Sequence, residues 1–345
     1  MMQINPHIIL VLMMLTKTVQ GQSVVPSTEH ARDESTREYK GELSEQPTHE
    51  SFEENTEWTP DYLDQFELRQ DNDFLHFTDR YYSTGSFLGL HRWLPLTPKQ
   101  LEQKQTRQYS FVLYQEIFTP TDLLTDKTKF MDRPYAGFIG LNNGLTVTQG
   151  FHLNRFNFVL GMAGPYSGSE TVQSAFHNSA TVDSKIATWD SQIDNSFHLG
   201  AYYEYVREWQ WQAQPFAVFF ALNPKAALGT KDTYIEQDAV FYFGRRSSLQ
   251  KTMAYGQLLG RKTELFFSTR FGYRYVLHDA MLEGNWLGDN SVFTVDPYPM
   301  MYFFNVGFFW RYKRHDVYLK YHYESARNRT AEPHLYVSLS YSRRY

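Results

Sequence analysis

The sequence predicts an all-β protein: a transmembrane antiparallel up-and-down β-barrel of about twelve strands, with one short helix beside it. Three observations carry that prediction. The chain holds 25 Tyr, 27 Phe and 7 Trp in 345 residues, more Tyr than a soluble core needs and well suited to the interfacial belts of a barrel in lipid. From Tyr62 onward, short segments alternate apolar and polar residues with a period of two. The chain also opens with a short apolar leader, and nothing after it approaches about 18 uninterrupted apolar residues, so strands rather than helices are the means of crossing a bilayer.

The elements follow in chain order. Residues 1–21 read as a signal peptide, in which Ile8 to Leu15 form an apolar run too short to span a bilayer. Val19 and Gly21 supply small residues for cleavage near Gln22. Residues 22–58 read as a disordered acidic extension, with ten acidic and three basic residues between Glu29 and Glu57. Residues 59–345 form the barrel domain. Its strand-like segments run roughly over 64–73, 81–92, 107–116, 135–149, 152–163, 196–208, 213–224, 233–245, 263–278, 299–312, 314–325 and 333–344. In the last, Leu335, Val337, Leu339 and Tyr341 share one parity, opposite Tyr336, Ser338, Ser340 and Ser342. An even number of strands closes a barrel without an exposed edge. Period two alone does not separate lipid from a soluble core; the leader, the tyrosines and the length favour the membrane.

One interval does not alternate. Between 165 and 195, Glu170, Gln173 and His177 fall at i, i+3 and i+7, one face of a helix that Ser169 is placed to cap. A short polar-faced helix in a β chain is either an active-site element lying against the barrel or an ordinary loop helix.

Composition narrows the chemistry. The absence of Cys removes disulfides, thiolate catalysis and Cys-ligated metals, and a net charge of -5 gives no reason to expect nucleic acid. There is no HExxH helix, GxSxG elbow or Gly-rich Lys phosphate loop.

Three blocks remain. Gln70-Asp71-Asn72-Asp73, followed by Asp79-Arg80-Tyr81-Tyr82-Ser83-Thr84-Gly85, groups the carboxylate and amide oxygens that a hard cation such as Ca2+ takes, although Asp and Asn are also ordinary turn residues. Asp132-Arg133-Pro134-Tyr135-Ala136-Gly137 is a tight turn feeding a strand, with an Arg that could meet an anionic head group. Gly164-Pro165 through Gln173 and His177 place a Gln and a His one helical turn apart, where a neutral imidazole can take a proton from water.

Together and in this order, these blocks resemble the outer-membrane lipid A 3'-O-deacylase family, with Trp189, Gln192 and Asn195 fitting the same pattern over about residues 62–345. The resemblance implies a twelve-stranded barrel in the bacterial outer membrane. Its active site lies between the wall and a short helix on the outer-leaflet side. The implied reaction is calcium-dependent hydrolysis of the 3'-O-linked acyloxyacyl ester of lipid A in lipopolysaccharide, with a His base, a water nucleophile and Ca2+ at the oxyanion. Carried over by position, His177 matches the base, Gln173 a site residue one turn earlier, and Asn72 and Asp73 the Asn-Asp pair, with Asp73 a calcium ligand. Asp183 falls where the family can carry a Glu, and Ser83 where it can carry a Thr. A basic residue found before the block at 132–137 in some members has no match, since Phe130 stands there beside Lys129. The implied partners are lipid A and outer-membrane lipid; no protein partner is predicted. Two alternatives stay open: a phospholipid esterase of the same mechanism, and a non-enzymatic barrel, which as a pore would have an open lumen.

Overall fold

In the computed structural model the chain closes into a single twelve-stranded barrel. The structure describes residue 58 and residues 60–73, 80–125, 127–180, 187–211 and 217–345, with the side chains at 177–180 outside that description. The leader, the extension up to residue 57, Asp79, Asp183 and the side chain of His177 lie outside the described residues.

The strands are β1 (Asp64–Asn72), β2 (Tyr81–Trp93), β3 (Gln105–Thr119), β4 (Ala136–Gln149), β5 (His152–Ala163), β6 (Ser196–Trp211), β7 (Val218–Gly229), β8 (Asp232–Arg245), β9 (Glu264–Asp279), β10 (Met300–Tyr312), β11 (His315–Glu324) and β12 (His334–Arg344). Each pairs antiparallel with its sequence neighbours, and β1 pairs with β12 to close the ring. Closure leaves every strand with two partners, so no backbone edge meets lipid.

Alternation decides the two faces. Along β9, Leu265, Phe267, Phe271, Tyr273, Tyr275 and Leu277 are exposed, with Phe271 at 51 % near the strand's middle. Between them Glu264, Phe266, Ser268 and His278 are buried. The exposed parity is apolar and the inward one largely polar, as in a barrel whose outside meets hydrocarbon. In β12, Leu339 and Tyr341 face out while Ser338, Ser340 and Ser342 face in, as the alternation predicts.

All twelve segments read from the sequence are strands, but β7 runs five residues past the end of its predicted 213–224. Asn223-Pro224 reads as a strand end, yet the strand passes through it. On one side the ladder with β8 is continuous, with Pro224 opposite Gln237. On the other, pairing with β6 lapses between Lys225–Glu204 and Leu222–Arg207 and then resumes in register. The missing N–H of Pro224 is absorbed by that gap.

The chain ends and the short turns 150–151 and 313–314 lie at one rim. At the other lie the connections 73–80, 120–135, 164–195, 280–299 and 325–333. The lumen is obstructed near the first rim. Segment 246–263 folds back inside: Gln108 donates to the Gly256 carbonyl (2.9 Å), Arg155 to that of Tyr255 (2.9 Å), and Arg311 to those of Lys251 (2.8 Å) and Gln257 (3.1 Å). Leu258 and Leu259 pack there with Trp93, and Trp58 lies against them. Arg311 is itself gripped by Asp316 and Glu264, which compensates its burial. At the second rim a short helix, α3 (Ala280–Glu283), tucks Met281 among inward Tyr82, Phe118, Phe138 and Tyr336. The remaining helices are α1 (Pro98–Glu102) and α2 (Ser169–Ala180).

Candidate active site

Of the predicted site residues, Asn72 and Gln173 lie on the outside of the barrel, and Asp73 and Ser83 stand at the same rim, opposite the chain ends. Register explains why. Asn72 is paired with Thr84, Thr84 with Ile117, and Ile117 with Gly137, so these positions form one row across β1 to β4. All four have outward parity, the parity of Leu88, Leu113 and Leu141 lower on the same strands. Three strand spacings, about 14 Å, separate the ends of the row.

At the β1 end the same alternation breaks up the acidic block. Asp71 points into the lumen, where the Tyr82 hydroxyl donates to it at 2.9 Å. Gln70 and Asn72 point outward: Gln70 donates to the Thr84 hydroxyl at 2.6 Å, and the Asn72 amide nitrogen to the Ser83 carbonyl at 3.2 Å. The four-residue block is therefore not one ligand set, because successive strand residues cannot share a face. Asp73 follows the strand, is 2 % exposed, and accepts from the Arg80 backbone N–H at 3.0 Å. Ser83 is buried at a β-bulge, where the β2–β3 register shifts between Tyr82 and Thr84. A bulge re-aims a side chain at a strand end, a recurrent device beside active sites.

At the β4 end, α2 lies against the outer wall. Gly137 permits the approach: a Cβ there would stand 2.2 Å from Ser167 Oγ and 2.4 Å from Ser169 Cβ. The approach is fastened by Gln115, whose amide donates to the Ser167 carbonyl at 2.8 Å. A 3-10 turn over Gly164–Ser167 leads into the helix. Gly164 has φ +78°, and a Cβ on it would meet the Asp194 carbonyl at 2.6 Å. The expected cap is corrected by two residues: Ser169 is the first helical residue, and Ser167 Oγ accepts from the Ser169 N–H at 3.3 Å.

Gln173 is buried on the wall side of α2, and its carbonyl oxygen accepts from Trp189 Nε1 at 2.8 Å. Trp189 stacks on Tyr135, with ring centroids 5.1 Å apart, inside a cluster with Ile117, Met131 and Ala187. That cluster covers the outward-facing Ile117, which is 1 % exposed although it stands on the lipid-facing parity. Gln192 and Asn195 hold the same element, through Glu170 at 3.5 Å and the Tyr166 N–H at 2.7 Å. Trp189, Gln192 and Asn195 thus clamp the turn and helix to the wall. Position 177 lies in α2, one turn beyond Gln173. Flanking the Gln173 face, Val172 and Phe176 are exposed, at i and i+4, and Tyr166 in the preceding turn is exposed as well.

The block at 132–137 braces this rim from beneath. Tyr135 donates its hydroxyl to the Leu123 carbonyl at 2.9 Å. Arg133 is buried: it donates to the Met281 carbonyl at 3.0 Å and lies 4.7 Å over the Phe118 ring. Burial pushes its guanidinium down to about 10, partly offset by the Asp279 carboxylate, so it stays charged at neutral pH. An Arg turned inward on a loop carbonyl is a brace, not the head-group contact its sequence position allowed.

The donor set at the Asn72–Asp73 end is carboxylate, amide and hydroxyl oxygen, the hard ligands that Ca2+ prefers. Among the described residues no three His, Asp or Glu side chains stand together as a metal site. A calcium ion there would need Asp73 together with neutral oxygens and residues outside the description, Asp183 among them. Gln115 had not been singled out from the sequence. Its signal is a polar residue continuing the outward parity of Tyr109, Phe111 and Leu113.

The family model described as outer membrane protein LpxR matches residues 43–345. A solved structure, LpxR from Salmonella typhimurium, aligns over 81 % of this chain and 100 % of its own, with a TM-score of 0.67 at 18 % identity, which shows the shared fold. The beta domain of the Bordetella autotransporter Brka covers 82 % of this chain and 98 % of its own, but at 10 % identity and a TM-score of 0.40 it carries no argument. No curated protein matches the sequence.

Proposed function

The chain belongs to the LpxR family of outer-membrane proteins, and from that membership we propose that it is a hydrolase of lipid A, removing the 3'-O-linked acyloxyacyl chain in the outer leaflet. The observation that supports this best is α2 fastened to the outside of the barrel, on the row that carries Asn72. A lipid held by the apolar wall brings its ester to that rim without leaving the bilayer. A site inside the lumen would require a two-chain lipid to enter a polar, obstructed interior.

In this reading His177 takes a proton from water as its oxygen attacks the ester carbonyl, and the tetrahedral adduct collapses by breaking the C–O bond to the sugar, whose 3'-oxygen leaves as a hydroxyl with the proton returned by His177. An unperturbed imidazole is largely neutral at pH 7 and suits the role. Gln173, held by the Trp189 N–H, positions the helix turn that carries the base. Asn72 and the Ser83 bulge shape the opposite edge, and Asp73 with Asp183 would hold a calcium ion. When bound, calcium supplies positive charge where the ester oxygen becomes negative, a stabilisation that grows toward the transition state. The leader at 1–21 would deliver the chain to export.

The test is mass spectrometry of lipid A from a Gram-negative strain expressing the chain, its His177→Ala form or its Asp73→Ala form. Loss of one acyloxyacyl unit in the wild type alone supports substrate, base and metal ligand together. Unchanged lipid A in all three, with folded barrel in the outer membrane, defeats the proposal. Release of fatty acid from phospholipid instead would move the same chemistry to the alternative substrate.

A further inference from the structure

The lumen contains a feature that the outer-wall site does not use. A chamber of about 500 Å3 lies inside the barrel, between segment 246–263 and the second rim. Six basic and four acidic side chains line it. The acids are engaged: Glu116 and Asp232 share Lys231 (2.9 and 3.5 Å), Glu204 meets Arg155 (2.8 Å), and Glu67 meets His91 (3.0 Å). Of the cations, Lys225 and Arg270 reach Glu236 and Asp238 in the wall, and Arg69 has Asp71 at 3.4 Å.

Lys320 differs from the rest. It forms no ion pair or hydrogen bond among the described residues, and its ammonium instead lies 4.4 Å from the Tyr318 ring and 5.4 Å from that of Phe309. Its cross-strand neighbour is Gly307, where a Cβ would come 3.3 Å from Lys320 Cγ and 2.7 Å from Ser268 Oγ. The missing side chain lets the lysine lie along the wall. Arg270 lines the same chamber with its side chain a quarter exposed, its Nη2 group held by Glu236 and Asp238, while its Nε–H is buried without an acceptor. Ring contacts offset only part of the cost of desolvating an ammonium, and a buried N–H without an acceptor adds a further cost.

We propose that the chamber is a binding site for a small oxyanion such as inorganic phosphate, held by Lys320 and the exposed part of the Arg270 guanidinium. The anion supplies the ion-pair partner that Lys320 lacks among the described residues. Segment 246–263 and α3 narrow the way in, which favours a small ion over a lipid or sugar head group. The site is independent of the outer-wall hydrolase reading and stands or falls without it.

The test is thermal unfolding of the full chain in detergent with increasing inorganic phosphate, at constant ionic strength and with EDTA so that the outer rim holds no cation. The expected result is a saturable rise in unfolding temperature, abolished in Lys320→Met and retained in Lys129→Met, an exposed cation outside the barrel. No saturable rise in the wild type, or an undiminished rise in Lys320→Met, overturns the proposal. Should Lys320→Met fail to fold, wild-type crystals soaked in arsenate decide: anomalous density between Lys320 and Arg270 supports the site, and its absence refutes it.

Discussion

Replacing Gly137 with alanine should push α2 off the barrel wall while leaving the barrel closed. The new Cβ would lie 2.2 Å from Ser167 Oγ and 2.4 Å from Ser169 Cβ. The hydroxyl can swing aside, but the Ser169 Cβ moves only with its backbone. Carbon atoms rest at about 3.5–4.0 Å, so the first turn of α2 must retreat by roughly 1 Å. Overpacking of this kind costs about 1–3 kcal/mol, and it falls on a helix outside the strand ladder. A misplacement of roughly 1 Å at a catalytic element costs about 100-fold in rate. The assay compares lipid A deacylation in outer membranes carrying wild type, Gly137→Ala or Leu141→Ala, with heat-modifiable gel mobility reporting barrel closure. Leu141 is on the same strand and parity, one helix width down the wall, and its variant should retain activity. A Gly137→Ala protein that is closed and turns over within a few-fold of wild type would refute the placement of the site between α2 and the wall.

Three further outcomes are expected. Phe271→Arg puts a charge near the middle of the lipid-facing surface of β9 and should destabilise the barrel by about 2–4 kcal/mol, read from urea unfolding in vesicles; an unchanged midpoint would place that face elsewhere. Gln173→Leu leaves the buried Trp189 N–H without its acceptor, a loss of about 1–3 kcal/mol, so amide exchange in 187–195 should speed up by roughly 5- to 150-fold; unaltered exchange would mean that the bond does not hold the segment. In planar bilayers the wild type should show no steady conductance, whereas replacing 251–259 with a short Gly-Ser linker should open one. A conducting wild type would show that segment 246–263 does not obstruct the lumen.

Much of this molecule is legible in its sequence, because β periodicity and turn chemistry are local. Short strand-like segments, many of them alternating, marked all twelve strands, and the order of the three blocks pointed to the family. The Glu170–Gln173–His177 spacing located α2. The misplaced end of β7 shows the limit of local reading: Pro224 is a strand breaker by itself and becomes tolerable only where a neighbouring strand forgoes the hydrogen bond.

What tertiary structure alone decided is which face each residue takes and what meets it there. Parity separates Asp71 from Asn72, but only closure of the ring directs Asp71 to the lumen and Asn72 to the outer wall. The row from Asn72 to Gly137 exists because of pairing across four strands, which no single segment encodes. Gln115 becomes a fastening for α2, and Gly137 its seat, through contacts 30 to 52 residues away in the chain. Segment 246–263 has no periodicity to announce it as the obstruction in the lumen. Its place follows from Arg311 and Gln108, buried polar groups that take its carbonyls as partners because the interior offers them few others.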